Sequence, residues 1–144
     1  MDDDVLVTIE TDVDLVRARA EARAAAERLG FSRMDRTLIA TAVSELARNI
    51  VVHVGAGEIV IRPARDDDRC GVIVIARDSG PGIRDVEAAL RDGYGTDKGL
   101  GLGLPGARRI MDEFEIESEN GSGTTVKAAK WRMRDELEKL RDRR

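Results

Sequence analysis

"SELARN", residues 44–49, lies inside an apolar run that reads as a core helix. Residues i and i+4 share one helical face. Glu45 and Asn49 therefore form a polar pair beside the stripe of Ala42, Leu46 and Ile50. Two readings of the pair are open from these residues alone. It is a solvated helix edge with Glu45 paired to Arg48, or it is a site. In the second case an amide oxygen and a carboxylate offer a hard cation, or its bound water, suitable ligands. Glu45 is also able to accept a proton.

Working outward, Ser32 and Asp35 have the spacing of a helix-start cap. They predict a helix over residues 33–54, stopped at Gly55 or Gly57. Upstream, "VLVTIE" (5–10) alternates apolar and polar residues and predicts a strand. Thr11 and Asp14 repeat the capping pattern. Leu15, Ala18, Ala22, Ala25 and Leu29 then recur at helical spacing up to Gly30. Downstream, "EIVIR" (58–62) and "GVIVIARD" (71–78) are β-branched and predict two strands. Between them, "PARDDDRC" reads as a solvated hairpin turn, because metal loops alternate their carboxylates. "RDVEAALRDG" (84–93) predicts a short helix, "YGTDKGLGLG" (94–103) a glycine-rich loop, and "LPGARRIMDEF" (104–114) a helix with Pro105 in its first turn. "EIESE" and "TTVKAAKW" predict two more strands around the "NGSG" turn. This order of elements suits an α+β two-layer sandwich, a mixed β-sheet covered by helices on one face.

The composition narrows the functional classes. A chain of 144 residues suits one domain with one sizeable core. The net charge of −4 lacks the basic footprint of a nucleic-acid binder. Charged residues make up 36% of the chain, but both signs are interspersed, as on a solvated surface. Cys70 is the single cysteine, so no internal disulfide forms and a reducing compartment is implied. The start, "MDDDVLVTIE", lacks the apolar run of a signal peptide, and no stretch reaches the ~18 apolar residues of a membrane span. The expected location is cytoplasmic, with no membrane and no nucleic acid as partner.

Two glycine patterns carry chemistry. In "ARDSGPGI" a strand ends on Asp78, followed by Gly80 and Gly82. A carboxylate there accepts a hydrogen bond from an exocyclic amine, and the glycines let a flat ring approach the backbone. In "KGLGLGLP", Gly99, Gly101 and Gly103 precede a helix start, where free N–H groups and the helix dipole favour an anion. Neither familiar phosphate motif fits. A P-loop needs Gly-Lys-Ser/Thr. A dinucleotide fingerprint follows a strand directly, whereas this loop follows a helix-like segment.

The order Glu-x-x-x-Asn, Asp-x-Gly-x-Gly, Gly-x-Gly-x-Gly and "GSGT" (121–124) resembles the GHKL ATPase superfamily, which has the Bergerat (histidine-kinase-like ATPase) fold. "AVSELARNIVVHVGAGEIVI", "DSGPGI", "GLGLGLPGARRIMDEFEI" and "GSGTTVKAAKW" look most like the RsbT-type serine/threonine kinases of the RsbW/RsbT group, the stressosome switch kinases. The similarity runs from about Val5 to Trp131. It implies ATP and Mg²⁺ as cofactors and a residue-by-residue set of roles. Asn49 would hold Mg²⁺, and Glu45 would be the base for a substrate serine. Asp78 would read the adenine amine above a floor of Gly80 and Gly82. Gly99, Gly101 and Gly103 would cover the phosphates, and Thr124 would support adenine through water. Lys98 is either a charge near the γ-phosphate or a solvated loop lysine.

The same resemblance implies a STAS-domain scaffold or antagonist protein as substrate, a PP2C-type phosphatase as further partner, and a sigma-factor stress pathway. The alternative is an ATP-binding regulatory module that sequesters partners without kinase activity. A histidine-kinase fragment fits less well, since no His-bearing dimerisation helices precede the nucleotide region. His53, near a helix end, takes a packing or capping role, and Cys70 is a small residue at a strand edge. Residues 1–131 then form the ATP-binding kinase domain. Residues 132–144 extend beyond the pattern as an amphipathic helix, with Met133, Leu137 and Leu140 at i, i+4, i+7.

Overall fold

Alternation along "VLVTI" puts Val7 and Ile9 on one side of an extended segment, and both are fully buried in strand β1, Val5–Ile9. The structure, a computed structural model, describes residues 3–80, 103–119 and 121–142. Helix α1, Asp12–Arg28, begins where the Asp14 carboxylate accepts the N–H groups of Glu10 and Thr11 at 2.9 and 3.1 Å. Those donors have no partner within the helix, and their bonds hold the Asp14 carboxyl below its ordinary range. Leu15, Ala18, Ala22 and Ala25 all face the core, as their spacing predicts. Helix α2, Arg33–His53, starts at Ser32, whose Oγ accepts the Asp35 N–H at 3.1 Å. It ends where Val54 and Gly55 both donate to the Ile50 carbonyl, at 3.0 and 2.8 Å.

Strands β2, Gly57–Arg65, and β3, Arg69–Asp78, are longer than their apolar runs. Pro63 stays inside β2 because the last β1 pair is Val5 with Ile61. Beyond that pair β2 is an edge, where a strand proline is tolerated. The acidic run closes the hairpin: Asp66 Oδ1 accepts the N–H groups of Asp68 and Arg69, each at 2.9 Å. Helix α3, Gly103–Ile110, strands β4, Glu113–Glu119, and β5, Gly123–Met133, and helix α4, Glu136–Asp142, complete the described elements. The expected helix over 84–93 and most of the expected loop over 94–103 lie outside the described residues.

The strand order is β1-β2-β3-β5-β4. Val7, Ile9, Ile59, Ile61, Val72, Val74, Val126 and Ala128 form one apolar face, which joins the buried residues of α1 and α2 in a single core. The two-layer α+β arrangement is as expected. The sheet differs in one respect: among the described strands every ladder is antiparallel, not mixed. Two helices, not one, separate β1 from β2, so the chain returns reversed. A passage through α3 sends β4 in the same direction as β3, but β5 lies between them and opposes both. No helix among the described residues is long and apolar enough to cross a membrane.

The C-terminal segment departs from expectation. Arg132 and Met133 extend β5, and the helix occupies only Glu136–Asp142. Leu137 and Leu140 are each 58% exposed, so an apolar stripe does not dock α4. Arginines do. Arg132 donates from both Nη atoms to the two oxygens of Glu138, at 2.9 and 2.7 Å, and from Nε to the Leu29 carbonyl at 2.8 Å. Arg134 donates to the Asp66 carbonyl at 2.7 Å and to the Asp142 carboxylate. Together these bonds tie α4 to the end of α1 and to the β2–β3 turn.

The bidentate Arg132 pair drives the Glu138 carboxyl down to about 2 from an ordinary 4.5. A carboxyl depressed by docking stabilises the docked state fully above its unfolded pKa and loses that contribution as the pH falls through the folded value. Amide exchange in α4 is therefore expected to accelerate between pH 4.5 and 2, ahead of exchange in β3. Glu138→Gln is expected to show the fast rate already at pH 7. Uniform exchange of α4 and β3 across that window contradicts this role of the pair.

Candidate active site

Glu45 sits midway along α2 and is 5% exposed. A buried carboxylate needs donors, because transfer from water is costly without them. One donor comes from α3: the Gly103 N–H reaches Glu45 Oε1 at 2.8 Å. The first N–H groups of a helix have no internal partners, and the dipole there favours negative charge. Pro105, in the first turn, lacks an N–H that would otherwise need one. Leu104 and Ala107 are fully buried and hold this helix start in the core. Arg48 Nε stands 4.0 Å from Glu45 Oε1. Glu45 is thus buried rather than on a solvated edge, and it keeps the ion pair with Arg48 that its spacing predicts. Glu45, Arg48, Asn49, Val52, His53 and Gly103 line one small cavity. His53, expected from sequence to pack or to cap the helix end, is exposed in the last turn of α2 and belongs to this wall.

Asp78 ends β3, and its Oδ1 accepts the Gly80 N–H at 2.9 Å. Across the sheet it is opposite Gly57 on one side and Thr124 on the other. The Thr124 hydroxyl shares a hydrogen bond of 2.9 Å with Ser118. An open cleft at this sheet end is lined by Gly57, Asp78, Ser79 and Thr125, among others. Two glycines let it close up. A Cβ on Gly80 would lie 2.7 Å from Val54 Cγ1. Gly123 has φ +91°, and its Cβ would lie 2.1 Å from the Asp78 carbonyl. Both distances are shorter than real side-chain contacts, so neither site admits alanine without movement.

The last turns of α2 join the two halves. Val54 touches Gly80, and a Cβ on Gly57 would lie 3.0 Å from Ile50 Cγ2. Glu45 and Asn49 therefore continue, along one helix, to the wall that holds Asp78 and Thr124. The structure brings Glu45, Asn49 and Gly103 into one cavity and puts Asp78, Gly80 and Thr124 at the adjoining sheet end. Gly82, Lys98, Gly99 and Gly101 lie outside the described residues. Sequence reading did not single out Arg48 or Val54 as site residues, or Gly123 on its own. The "GSGT" turn carried a signal for Gly123; Val54 had none.

Among the described residues no cluster of three or more His, Cys, Asp or Glu is arranged to hold a metal. A cation here would rely on the Asn49 amide oxygen, with phosphate and water completing its shell. That suits Mg²⁺, which keeps waters and substrate oxygens as ligands.

Comparison with known proteins agrees with this architecture. The pattern of the histidine kinase-like ATPase domain matches residues 9–130. The serine/threonine-protein kinase RsbT of Bacillus subtilis is 47% identical over 131 residues, covering 91% of this chain and 98% of that protein. An anti-sigma F factor of Caldanaerobacter subterraneus subsp. tengcongensis is 37% identical over 99 residues, covering 65% of this chain and 68% of that one. The crystal structure of the RsbU and RsbW domains of a Mycobacterium tuberculosis protein superposes with a TM-score of 0.60 at 20% identity. That match covers 92% of this chain but only 33% of the larger one, and it speaks for the fold alone. The chain belongs to the histidine kinase-like ATPase family, in its RsbT-type branch.

Proposed function

We propose that this chain is an ATP-dependent protein serine/threonine kinase that phosphorylates a STAS-domain regulatory protein and thereby switches partners in a sigma-factor pathway. One observation carries the reading: a buried carboxylate, Glu45, shares a cavity with Asn49 and with the start of α3. Phosphoryl transfer consists mainly of positioning and charge neutralisation. Asn49 would hold Mg²⁺, which when bound neutralises phosphate charge. Glu45, one helical turn earlier, would take the proton of the incoming serine hydroxyl. Asp78 would accept from the adenine amino group, with Gly80 and Gly82 beneath the ring and Thr124 supporting it through water. Gly99, Gly101 and Gly103 would surround the phosphates, with Lys98 adding positive charge.

The 47% identity to a protein named a serine/threonine kinase, over nearly all of both chains, supports this assignment. A PP2C-type phosphatase is the proposed second partner and the cytoplasm the proposed compartment. Residues 1–131 are the proposed catalytic unit, with 132–144 as a docked extension. The relatives named anti-sigma F factors favour an added role in holding a partner. Sequestration alone leaves Glu45 as an anchor for the start of α3 and needs no base there.

Transfer of label from radioactive ATP to a serine or threonine of a STAS-domain protein tests the activity. Phosphorylated product is expected; tight binding of that protein with no transfer would favour sequestration instead. Nucleotide choice tests the site independently. A carboxylate left unpaired beneath a bound base costs about 1–3 kcal/mol, so Mg-ATP is expected to bind about 5- to 150-fold more tightly than Mg-GTP. Asp78→Asn is expected to remove most of that preference. Equal calorimetric affinities for the two nucleotides in the native chain would sink the role of Asp78.

A further inference from the structure

We propose that Arg48 is a further catalytic residue, whose guanidinium contacts the phosphoryl group in transfer; this rests on the kinase reading above. Arg48 Nε is buried and has no hydrogen-bond partner. Buried polar groups are nearly always paired, and an unpaired one calls for an explanation. Its ion-pair partner, Glu45 Oε1, is 4.0 Å away, beyond a hydrogen bond. That oxygen already accepts the Gly103 N–H at 2.8 Å. Arg134 Nε is likewise buried without a partner, but the Nη atoms of Arg134 reach a backbone carbonyl and Asp142, and Arg132 grips both oxygens of Glu138.

Position gives this charge, partly exposed and only loosely paired with Glu45, its task. Arg48 precedes Asn49, follows Glu45 by three residues, and lines the same cavity as both. Helix α2 thus presents a base, a cation and a metal-binding amide to one small space. A guanidinium keeps its charge at any working pH and offers donors in a planar fork that matches phosphate oxygens. In the transferring group negative charge spreads over three oxygens. The serine oxygen forms a bond to the γ-phosphorus as the bond from that phosphorus to the β,γ-bridging oxygen breaks. ADP leaves with the electron pair, and the serine proton passes to Glu45. Arg48 bonds the equatorial oxygens during that passage, so its contribution is larger in transfer than in the binding of ADP.

The test compares native chain, Arg48→Met and Arg48→Lys. Calorimetry measures affinity for Mg-ADP with and without aluminium fluoride, which imitates the group in flight. Single-turnover phosphorylation of a STAS-domain protein is measured beside it. Arg48→Met is expected to bind Mg-ADP within about 2-fold of native, yet to lose most of the affinity gained from aluminium fluoride. Its transfer rate is expected to fall ~10²–10³-fold, the size typical for loss of one oriented donor. Arg48→Lys is expected to recover part of both. A native chain that transfers phosphate beside an equally active Arg48→Met overturns the role of Arg48 alone. Equal losses of Mg-ADP affinity with and without aluminium fluoride also overturn it, since they mark a structural role. A native chain that binds Mg-ADP but transfers nothing overturns the kinase reading, and this role with it.

Discussion

The hydrogen bond from Gly103 to Glu45 joins the two parts of the molecule that the proposed chemistry needs together. A carboxylate inside an apolar helix face would cost several kcal/mol without donors. The start of α3 supplies one, with the dipole of the helix behind it. In return, α3 is fixed in register against α2, with Leu104 and Ala107 packed in the core. The bond therefore sets the distance between the α2 wall, with Asn49 and Arg48, and the helix start at Gly103. A neutral apolar residue at position 45 would pack, but it would leave that helix start without its acceptor.

Sheet order sets the other end of the site. Because β5 lies between β3 and β4, Thr124 stands directly across from Asp78, and Ser118 stands across from Thr124. A row of polar side chains thus crosses three strands at one sheet end. Gly123 and Gly80 keep the surrounding backbone close, against Asp78 and Val54 respectively. The last turn of α2 touches the same corner, so one helix serves both the proposed phosphate side and the proposed adenine side.

Much of this was legible in the sequence because it is local. The caps at Ser32 and Asp14, the stripe along α1 and the turn at Asp66 each follow from spacings of two to four residues. The pairing of Glu45 with Asn49 is equally local. What sequence periodicity does not carry is contact between distant segments. The placement of β5 between β3 and β4 depends on pairing across long stretches of chain, so a mixed sheet was the natural expectation. The Glu45–Gly103 bond spans 58 residues. The docking of α4 is hidden from the sequence for a related reason. Met133, Leu137 and Leu140 have helical spacing, yet Arg132 and Arg134 hold the segment through carbonyls and carboxylates that no stripe reveals. Resemblance to a known family supplied the nucleotide roles, which the residues alone left open.

The central claim is that Glu45 takes the substrate proton. Its most direct test is the single-turnover phosphorylation rate of Glu45→Gln on a STAS-domain protein, at Mg-ATP concentrations that saturate the variant; the amide oxygen still accepts the Gly103 N–H but takes no proton. A positioned base contributes ~10²–10⁴-fold. The rate is predicted to fall by that factor while ATP affinity stays close to native, whereas Asn49→Ala loses both. Full transfer activity in a folded, ATP-bound Glu45→Gln would contradict the account and leave Glu45 as a structural anchor for α3.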